Sequence, residues 1–255
     1  MISIMNDKEF QQRMAQLPEP PTSSRPPYWD YWRHELWTLG QSRSPESFAE
    51  WPCIRHTMLV DHFKADVRRQ YYALPQEWRL LCKPPSVGRK DIFNDTYLSM
   101  NMINLAYHFW LYERITGIRI KDLDVITEFG GGFGAQALLA RRTGFSGTYY
   151  VVDLPEFRLL QDWFLSKHDT SVSDGYFCPS DLFIGVYSIS EMHPHDRDDF
   201  LMGHDTYLLL FSSNFAEYDN MNFFSTFARE REYMKWYTEQ FLDRPDHYLI
   251  GWQHA

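Results

Sequence analysis

Cysteine is scarce in this sequence, and the three present, Cys53, Cys82 and Cys178, are odd in number and far apart. That excludes a disulfide framework and offers no zinc-ligand pair, so a reducing, cytoplasmic home is expected. Positive charge is short as well: 25 lysines and arginines stand against 34 aspartates and glutamates, a formal net charge of −9. No basic block exceeds Arg68-Arg69 or Arg141-Arg142. A phosphate-backbone partner is therefore disfavoured, and nucleic acid is not an expected substrate. Long apolar runs are missing too. A run such as Tyr207-Leu-Leu-Leu-Phe211 is far below a membrane span, and Met1 to Leu17 breaks its apolar positions with Asp7, Lys8, Glu9 and Arg13. Neither a membrane partner nor a targeting segment is expected. There is no internal repeat, and the one biased tract, Pro18 to Pro27, reads as an extended linker.

Glycine is not abundant either, yet four of the 13 crowd into Asp124-Val-Ile-Thr-Glu-Phe-Gly-Gly-Gly-Phe-Gly-Ala135. Val125 to Glu128 has strand propensity, Gly130, Gly131, Gly132 and Gly134 make the turn, and Ala135 to Arg142 reads as helix. Strand, glycine turn and helix is the start of a nucleotide-binding fold. The turn demands backbone angles that a Cβ opposes, and a ligand can approach bare backbone closely. About twenty residues further on, a second strand, Thr148 to Val152, delivers Asp153 at its end, where an open α/β sheet places the carboxylate that grips a ribose diol.

Two ligand classes fit. Gly130-x-Gly132-x-x-Ala135 satisfies the dinucleotide fingerprint of an NAD-dependent oxidoreductase. Glu128-x-Gly130-x-Gly132-x-Gly134 resembles the first motif of class I S-adenosylmethionine-dependent methyltransferases. Glu128 favours the second, because an ammonium and a sulfonium call for a carboxylate network, whereas a pyrophosphate prefers a bare helix N-terminus. The motif also begins at residue 128 of 255, leaving room for about one Rossmann-type domain after it.

The chain before this motif carries helical patterns and no comparable strand signal. Tyr28, Trp29, Tyr31, Trp32 and Trp37 crowd one short stretch, as sugar-stacking faces or as packing for a helix. Asn94 or Asp95 can cap a helix running through Leu98, Met102, Leu105, Phe109 and Tyr112 to Gly117, with His108 among them as a packed, hydrogen-bonded group rather than a catalytic one. After Asp153 the patterns alternate: helix Glu156 to Lys167, a weak strand near Ser171 to Ser173, and strand Leu182 to Ser188. A short helix at Asp196 to Met202, strand Thr206 to Phe211, a helix from about Asn222 to Leu242 and strand His247 to Trp252 follow. The expected fold is α/β: a Rossmann-like, doubly wound, mostly parallel sheet in residues 121–255, with a helical N-terminal subdomain in 1–120 serving as substrate lid or in oligomerisation.

Ligands collect at strand C-termini in such sheets. The fourth strand leads into Ser188-Ile-Ser-Glu-Met-His-Pro-His195, which brings Glu191, His193 and His195 to that side. Methyl transfer to a hydroxyl needs in-line alignment and removal of the hydroxyl proton, a task suited to a histidine oriented by a carboxylate. His193 is the candidate base and Glu191 its partner or a substrate ligand; a helix-terminal cluster is the bland alternative, and a metal held by His193-x-His195 is a weak one. Past the fifth strand, Asn214 and Glu217 can hydrogen-bond a polyol. Asp174 or Asp181 can accept from an adenine amino group.

Glu128 to Gly134, Tyr150-Val-Val-Asp-Leu-Pro155, Gln161 and Ser188-Ile-Ser-Glu-Met192 together resemble the sugar O-methyltransferase family of bacterial polysaccharide gene clusters, over about residues 90 to 215. The resemblance implies S-adenosylmethionine as cofactor, held by Glu128, Gly130, Gly132, Gly134, Asp153 and Leu154, and a sugar or sugar nucleotide as the small-molecule acceptor. No residue is assigned as a metal ligand, and the need for a divalent metal and the oligomeric state, a homodimer included, are left open. One departure stands out: the family's sheet has seven strands, and only one convincing strand follows Phe211. The missing strand is expected near residues 213 to 221, or else the sheet is abbreviated.

Overall fold

The computed structural model describes residues 4–21, 29–60, 63–88, 93, 98–175, 179–242 and 244–253. Expectations placed on Tyr28, on linker residues 22–27, on Asn94 and Asp95 and on Cys178 lie outside them; Cys53 and Cys82 are buried free thiols.

Among the described residues every element before Val125 is helical: α1 Asp7–Gln16, α2 Trp29–Ser42, a 3-10 turn Pro45–Glu50, α3 Pro52–Thr57, α4 Lys64–Ala73, α5 Gln76–Leu81 and α6 Met100–Thr116, then a short 3-10 turn Ile120–Asp122. From there strands and helices alternate: β1 Val125–Phe129, α7 Ala135–Arg142, β2 Thr148–Val152, α8 Pro155–Ser166, β3 Ser173–Asp174 and β4 Leu182–Val186. After a 3-10 turn at Ser188–Glu191 come α9 Pro194–Leu201, β5 Thr206–Ser212, the strand pair β6 Asn214–Phe215 and β7 Tyr218–Asp219, α10 Asn220–Arg229, β8 Met234–Gln240 and β9 Asp246–Gln253.

Seven strands form one sheet in the order β3-β2-β1-β4-β5-β9-β8. β3 to β5 are parallel, and β9 runs antiparallel to both β5 and β8. The chain steps outward from β1 to β3, returns to the other side of β1 with β4, and steps outward again, so the topological switch lies between β1 and β4. This is the Rossmann-like α/β fold that the alternation predicts.

Three expectations are corrected. The helix expected over Asn222 to Leu242 stops at Arg229, and Met234–Gln240 is the strand that completes the sheet. Trp236, Tyr237 and Thr238 have high strand propensity, and the strand exists because β9 pairs with it along its whole length. The 213 to 221 region does contain strands, but they pair only with each other. β4 likewise ends at Val186, two residues short of the expected Ser188, because Tyr187 takes φ +65° and turns the chain out of the ladder.

The chain clusters into two compact units. One is drawn from Met1–Tyr107, Gly131–Thr143 and Asp153–Val172, the other from His108–Gly130, Gly144–Val152 and Ser173–Ala255. The second unit holds all seven strands of the sheet. Its core gathers Phe183, Ile189, Leu209, Phe211, Phe224 and Phe227. The C-terminal half of α6 docks through buried polar pairs, His108 Nδ1 with Tyr248 Oη at 2.5 Å and Tyr112 Oη with Thr206 Oγ1 at 2.7 Å. Burial pushes the His108 imidazole down to about 3, so this histidine is a neutral packing group.

The first unit has an aromatic core in which Phe48 meets Phe133, Phe164 and Trp163 at centroid distances of 5.0, 5.8 and 6.1 Å. Its α2 is tied to α8 by one ion pair: Arg33 Nε and Nη2 donate to Glu156 Oε2 and Oε1 at 3.1 and 3.2 Å. Trp29 packs its ring edgewise on Phe157, so this aromatic serves helix packing. Glu156 is fully buried. A desolvated carboxylate depends on such a two-point partner. Arg33→Met should therefore cost about 3–5 kcal/mol in urea unfolding, and adding Glu156→Gln to that variant should recover much of the loss, because the stranded charge is gone.

Candidate functional site

The glycine turn begins where β1 can no longer carry a side chain. Gly130 has φ +72°, and a Cβ there would lie 2.3 Å from Ser188 Cβ. Its N–H donates to Val152 O at 2.9 Å, which keeps β1 zipped to β2 up to the turn. Ser188 Oγ donates to Phe129 O, fixing the segment after β4 against the end of β1. Two residues back, Glu128 is buried and accepts from Tyr149 Oη at 2.9 Å. These residues all belong to the sheet unit.

The rest of the turn belongs to the helical unit. Gly132 has φ +58° and Gly134 φ +93°, and Gly134 caps α7. Met58, just past α3, covers the turn, with its sulfur 3.4 Å from where a Gly132 Cβ would sit. In the same unit Asp153 is half-buried at the head of the segment leading into α8. Leu154, the N-cap of α8, donates its N–H to Asp153 Oδ1 at 2.8 Å. Gln161 Nε2 donates to Asp153 Oδ2 at 2.7 Å. Each oxygen keeps lone-pair capacity for a further donor. Burial pushes the Asp153 carboxyl up to about 7 against the opposing hydrogen bonds of Leu154, Gln161 and Gly131 and the charge of Arg158.

Beyond β4, Glu191 closes the 3-10 turn and His193 is the N-cap of α9. The fold thus brings Glu191 and His193 together at the C-terminal end of β4, with only Met192 between them. His193 is exposed, lies edgewise against Tyr218 at 5.4 Å, and its Nδ1 accepts from the His195 N–H at 3.2 Å. A neutral ring in that arrangement carries its proton on Nε2. Accepting another proton therefore requires Nδ1 to leave the cap. His195 is exposed in the first turn of α9, and among the described residues no three His, Cys, Asp or Glu side chains gather as a metal site. Asn214 and Glu217 are exposed in the hairpin beyond β5 that β6 and β7 form with each other.

Of the two aspartates considered for adenine, Asp181 lies at the opposite edge. It precedes β4, and its Oδ2 accepts from the N–H groups of Asp124 and Val125 at 2.6 and 2.9 Å, closing the start of β1. Asp174 ends β3 beside Val151, on the C-terminal edge.

Three residues at this edge escape a reading of sequence alone. Tyr187 takes a strained φ of +65° directly after β4, and its hydroxyl donates to Asp246 Oδ2 at 2.9 Å, while Ser212 Oγ donates to Oδ1 at 2.7 Å. Burial and the Asp246 charge hold the Tyr187 phenol well above its usual range. Arg197 is fully buried: Nε and Nη2 donate to Met192 O, and Nη2 also to Ser190 O. Its guanidinium sits over Phe223 at 4.8 Å, and Nη1 has no partner among the described residues. Burial lowers its pKa to about 10, and it remains a cation at neutral pH. Only Phe200 and Leu201, three and four residues further along α9, hint that this face points inward.

No family model matches the sequence, and no curated protein matches it. Solved structures do resemble it. One is magnesium protoporphyrin IX methyltransferase from Synechocystis PCC 6803 with bound S-adenosylmethionine, 11% identical over 74% of this chain and 97% of that one, TM-score 0.48. Another is human N-acetylserotonin methyltransferase in complex with the same molecule, 14% identical over 84% and 72%, TM-score 0.39. A third is an O-methyltransferase family protein from Burkholderia thailandensis, 10% identical over 76% and 73%, TM-score 0.44. Likenesses this slight assign no chemistry; the chain's own residues must.

The glycines differ in what surrounds them. Gly130→Ala forces a Cβ into Ser188 Cβ, which cannot swing away, whereas Gly132→Ala meets a flexible methionine. Both add the strain of positive φ, about 1 kcal/mol. Urea denaturation should show a loss of about 1 kcal/mol for Gly132→Ala and about 3 kcal/mol or more for Gly130→Ala.

Proposed function

We propose that this protein is an S-adenosylmethionine-dependent O-methyltransferase acting on a hydroxyl of a sugar or sugar nucleotide. The observation that carries the cofactor half is the sheet. Dinucleotide-binding folds continue past β5 with parallel strands in the order 3-2-1-4-5-6. Here an antiparallel β9 is inserted between β5 and β8. Seven strands with two beyond the fifth is what the resemblance to the methyltransferases implies.

The residues fit a nucleoside cofactor. Gly130, Gly132 and Gly134 offer bare backbone, and Asp153 offers two held oxygens to a ribose diol. Leu154 follows it as a half-buried apolar neighbour for a base. Glu128 supplies negative charge before the turn. S-adenosylmethionine, when bound, supplies a methyl group on a sulfonium. Everything else falls to the chain: to align the acceptor oxygen in line and to remove its proton. His193 takes that proton on Nδ1 once the His195 N–H is released, Glu191 steadies the ring or the acceptor, and Asn214 and Glu217 bind its hydroxyls. The helices before residue 120 serve as a lid or a dimer face. The sugar acceptor rests on the Ser188 to Met192 segment that resembles the sugar O-methyltransferase family.

Isothermal titration with S-adenosylmethionine, S-adenosylhomocysteine and NADH tests the cofactor. Micromolar binding of the first two, lost in Asp153→Ala, is expected; binding of NADH alone would overturn the reading in favour of an oxidoreductase. The hydroxyls of a ribose donate, so the ionised form of Asp153 is the one that binds. With its carboxyl near 7, affinity for S-adenosylhomocysteine should be full at pH 8 and about tenfold weaker at pH 6.

For the acceptor, His193→Asn separates two roles. Asparagine is a good N-cap and no base, so stability should hold while turnover of a sugar nucleotide falls by about 10²–10⁴. Unchanged turnover would remove His193 from the chemistry.

A further inference from the structure

We infer that Gln161 is a positioning residue for the cofactor: one amide nitrogen locks the ribose-binding carboxylate of Asp153 to the backbone of the glycine turn. This rests on the cofactor reading above. Gln161 sits in α8 and is fully buried. Its Nε2 lies 2.7 Å from Asp153 Oδ2 and 2.9 Å from Gly132 O. An amide NH₂ has two hydrogens, and these acceptors use both. Flipping the amide would set Oε1 against two acceptor oxygens, so one orientation alone is tenable.

That orientation is not the one the rest of the side chain would choose. Oε1 is buried with no partner among the described residues. An unsatisfied buried acceptor is unfavourable, and a methionine or leucine would fill the same space without it. What holds Gln161 in place is therefore what its nitrogen joins. On one side is Gly132, at φ +58° in the turn; on the other is the acid at the end of the second strand. No other side chain described at the site touches both.

The clamp also decides which face of Asp153 remains. Leu154 N–H occupies Oδ1 and Gln161 occupies Oδ2, so the remaining lone pairs point away from α8. The other groups acting on this carboxylate are the Gly131 N–H in the turn and the Arg158 cation one turn before Gln161; Arg158 itself is paired with Asp162 at 2.7 Å and donates to Val172 O at 3.0 Å. Without Gln161 the carboxylate loses its side-chain donor, swings more freely and holds its proton more tightly.

Gln161→Met keeps the length of the side chain and removes the donor. Two measurements follow on the full chain: titration of the Asp153 carboxyl by carbon-detected NMR without ligand, and binding of S-adenosylhomocysteine across pH 5.5–8.5. The expected result is a titration midpoint about one unit higher than in wild type, a matching rise in the pH midpoint of binding, and affinity about fivefold weaker at pH 7. Gln161→Glu, which keeps the shape and sets a second carboxyl beside the first, should move both midpoints further up. It also serves if the methionine variant does not fold.

A structural role alone would lower the melting temperature and leave both midpoints in place, and that outcome overturns the inference. So does a shifted Asp153 titration with unchanged affinity, because the clamp would then serve no ligand. Wild-type protein whose Asp153 titrates near 7 but binds neither S-adenosylmethionine nor its demethylated product would overturn the cofactor reading itself, a result separable from the behaviour of the variants.

Discussion

The C-terminal edge of the sheet depends on one close approach, that of the backbone at Gly130 to the side chain of Ser188. A hydrogen atom fits at that position and a methyl group does not. Because it fits, β1 pairs with β2 on one side and β4 on the other right up to the turn, and Ser188 can close on the Phe129 carbonyl. The segment after β4 then leaves the ladder at the strained Tyr187 and folds into a 3-10 turn. Glu191 and His193 stand where they do because of this packing. A bulkier residue at 130 would push the segment after β4 away from the end of β1.

Buried charge is handled differently in the two units. In the helical unit, Glu156 is matched by a two-point partner, Arg33, so that full burial is compensated by geometry. In the sheet unit, Arg197 is just as buried, and backbone carbonyls and aromatic faces satisfy it. The carbonyls it holds are those of Ser190 and Met192, which flank Glu191 and lead into His193. A cation thus shapes the loop whose side chains are proposed to serve the acceptor. Asp153 is the third solution: a carboxylate held by N–H donors and raised toward neutrality, stable enough to fold and still short of partners.

How much was legible in the sequence follows the range of the interactions. The turn could be read because glycines at 130, 132 and 134 answer a local demand, positive φ, which they meet at +72°, +58° and +93°. α7 and β2 have the expected bounds for the same reason: apolar periodicity and flanking turns are properties of neighbours in the chain. β8 could not be read. Met234–Gln240 has a half-exposed alternation that competes with a helical pattern inherited from α10, and only the ladder with β9 decides it. Asp174 and Asp181 could not be told apart because the third strand, Ser173–Asp174, is too short to leave a pattern. Arg197 and Tyr187 gave no signal, since the one is identified by carbonyls and rings brought from elsewhere in the chain and the other by a backbone angle.

The sequence by itself determined the class of fold, the place of the glycine turn and of Asp153 at the end of the second strand, and the grouping of Glu191 with His193. Each of these depends on propensity, on φ, or on separation by one or two residues. Tertiary structure alone decided that the seventh strand is β8 with an antiparallel β9 between it and β5, that Gln161 reaches both Asp153 and the Gly132 carbonyl, and that His193 spends Nδ1 on a helix cap. Those depend on atoms that meet only when distant parts of the chain are packed, and a hydrogen bond or a ladder has no existence until they do.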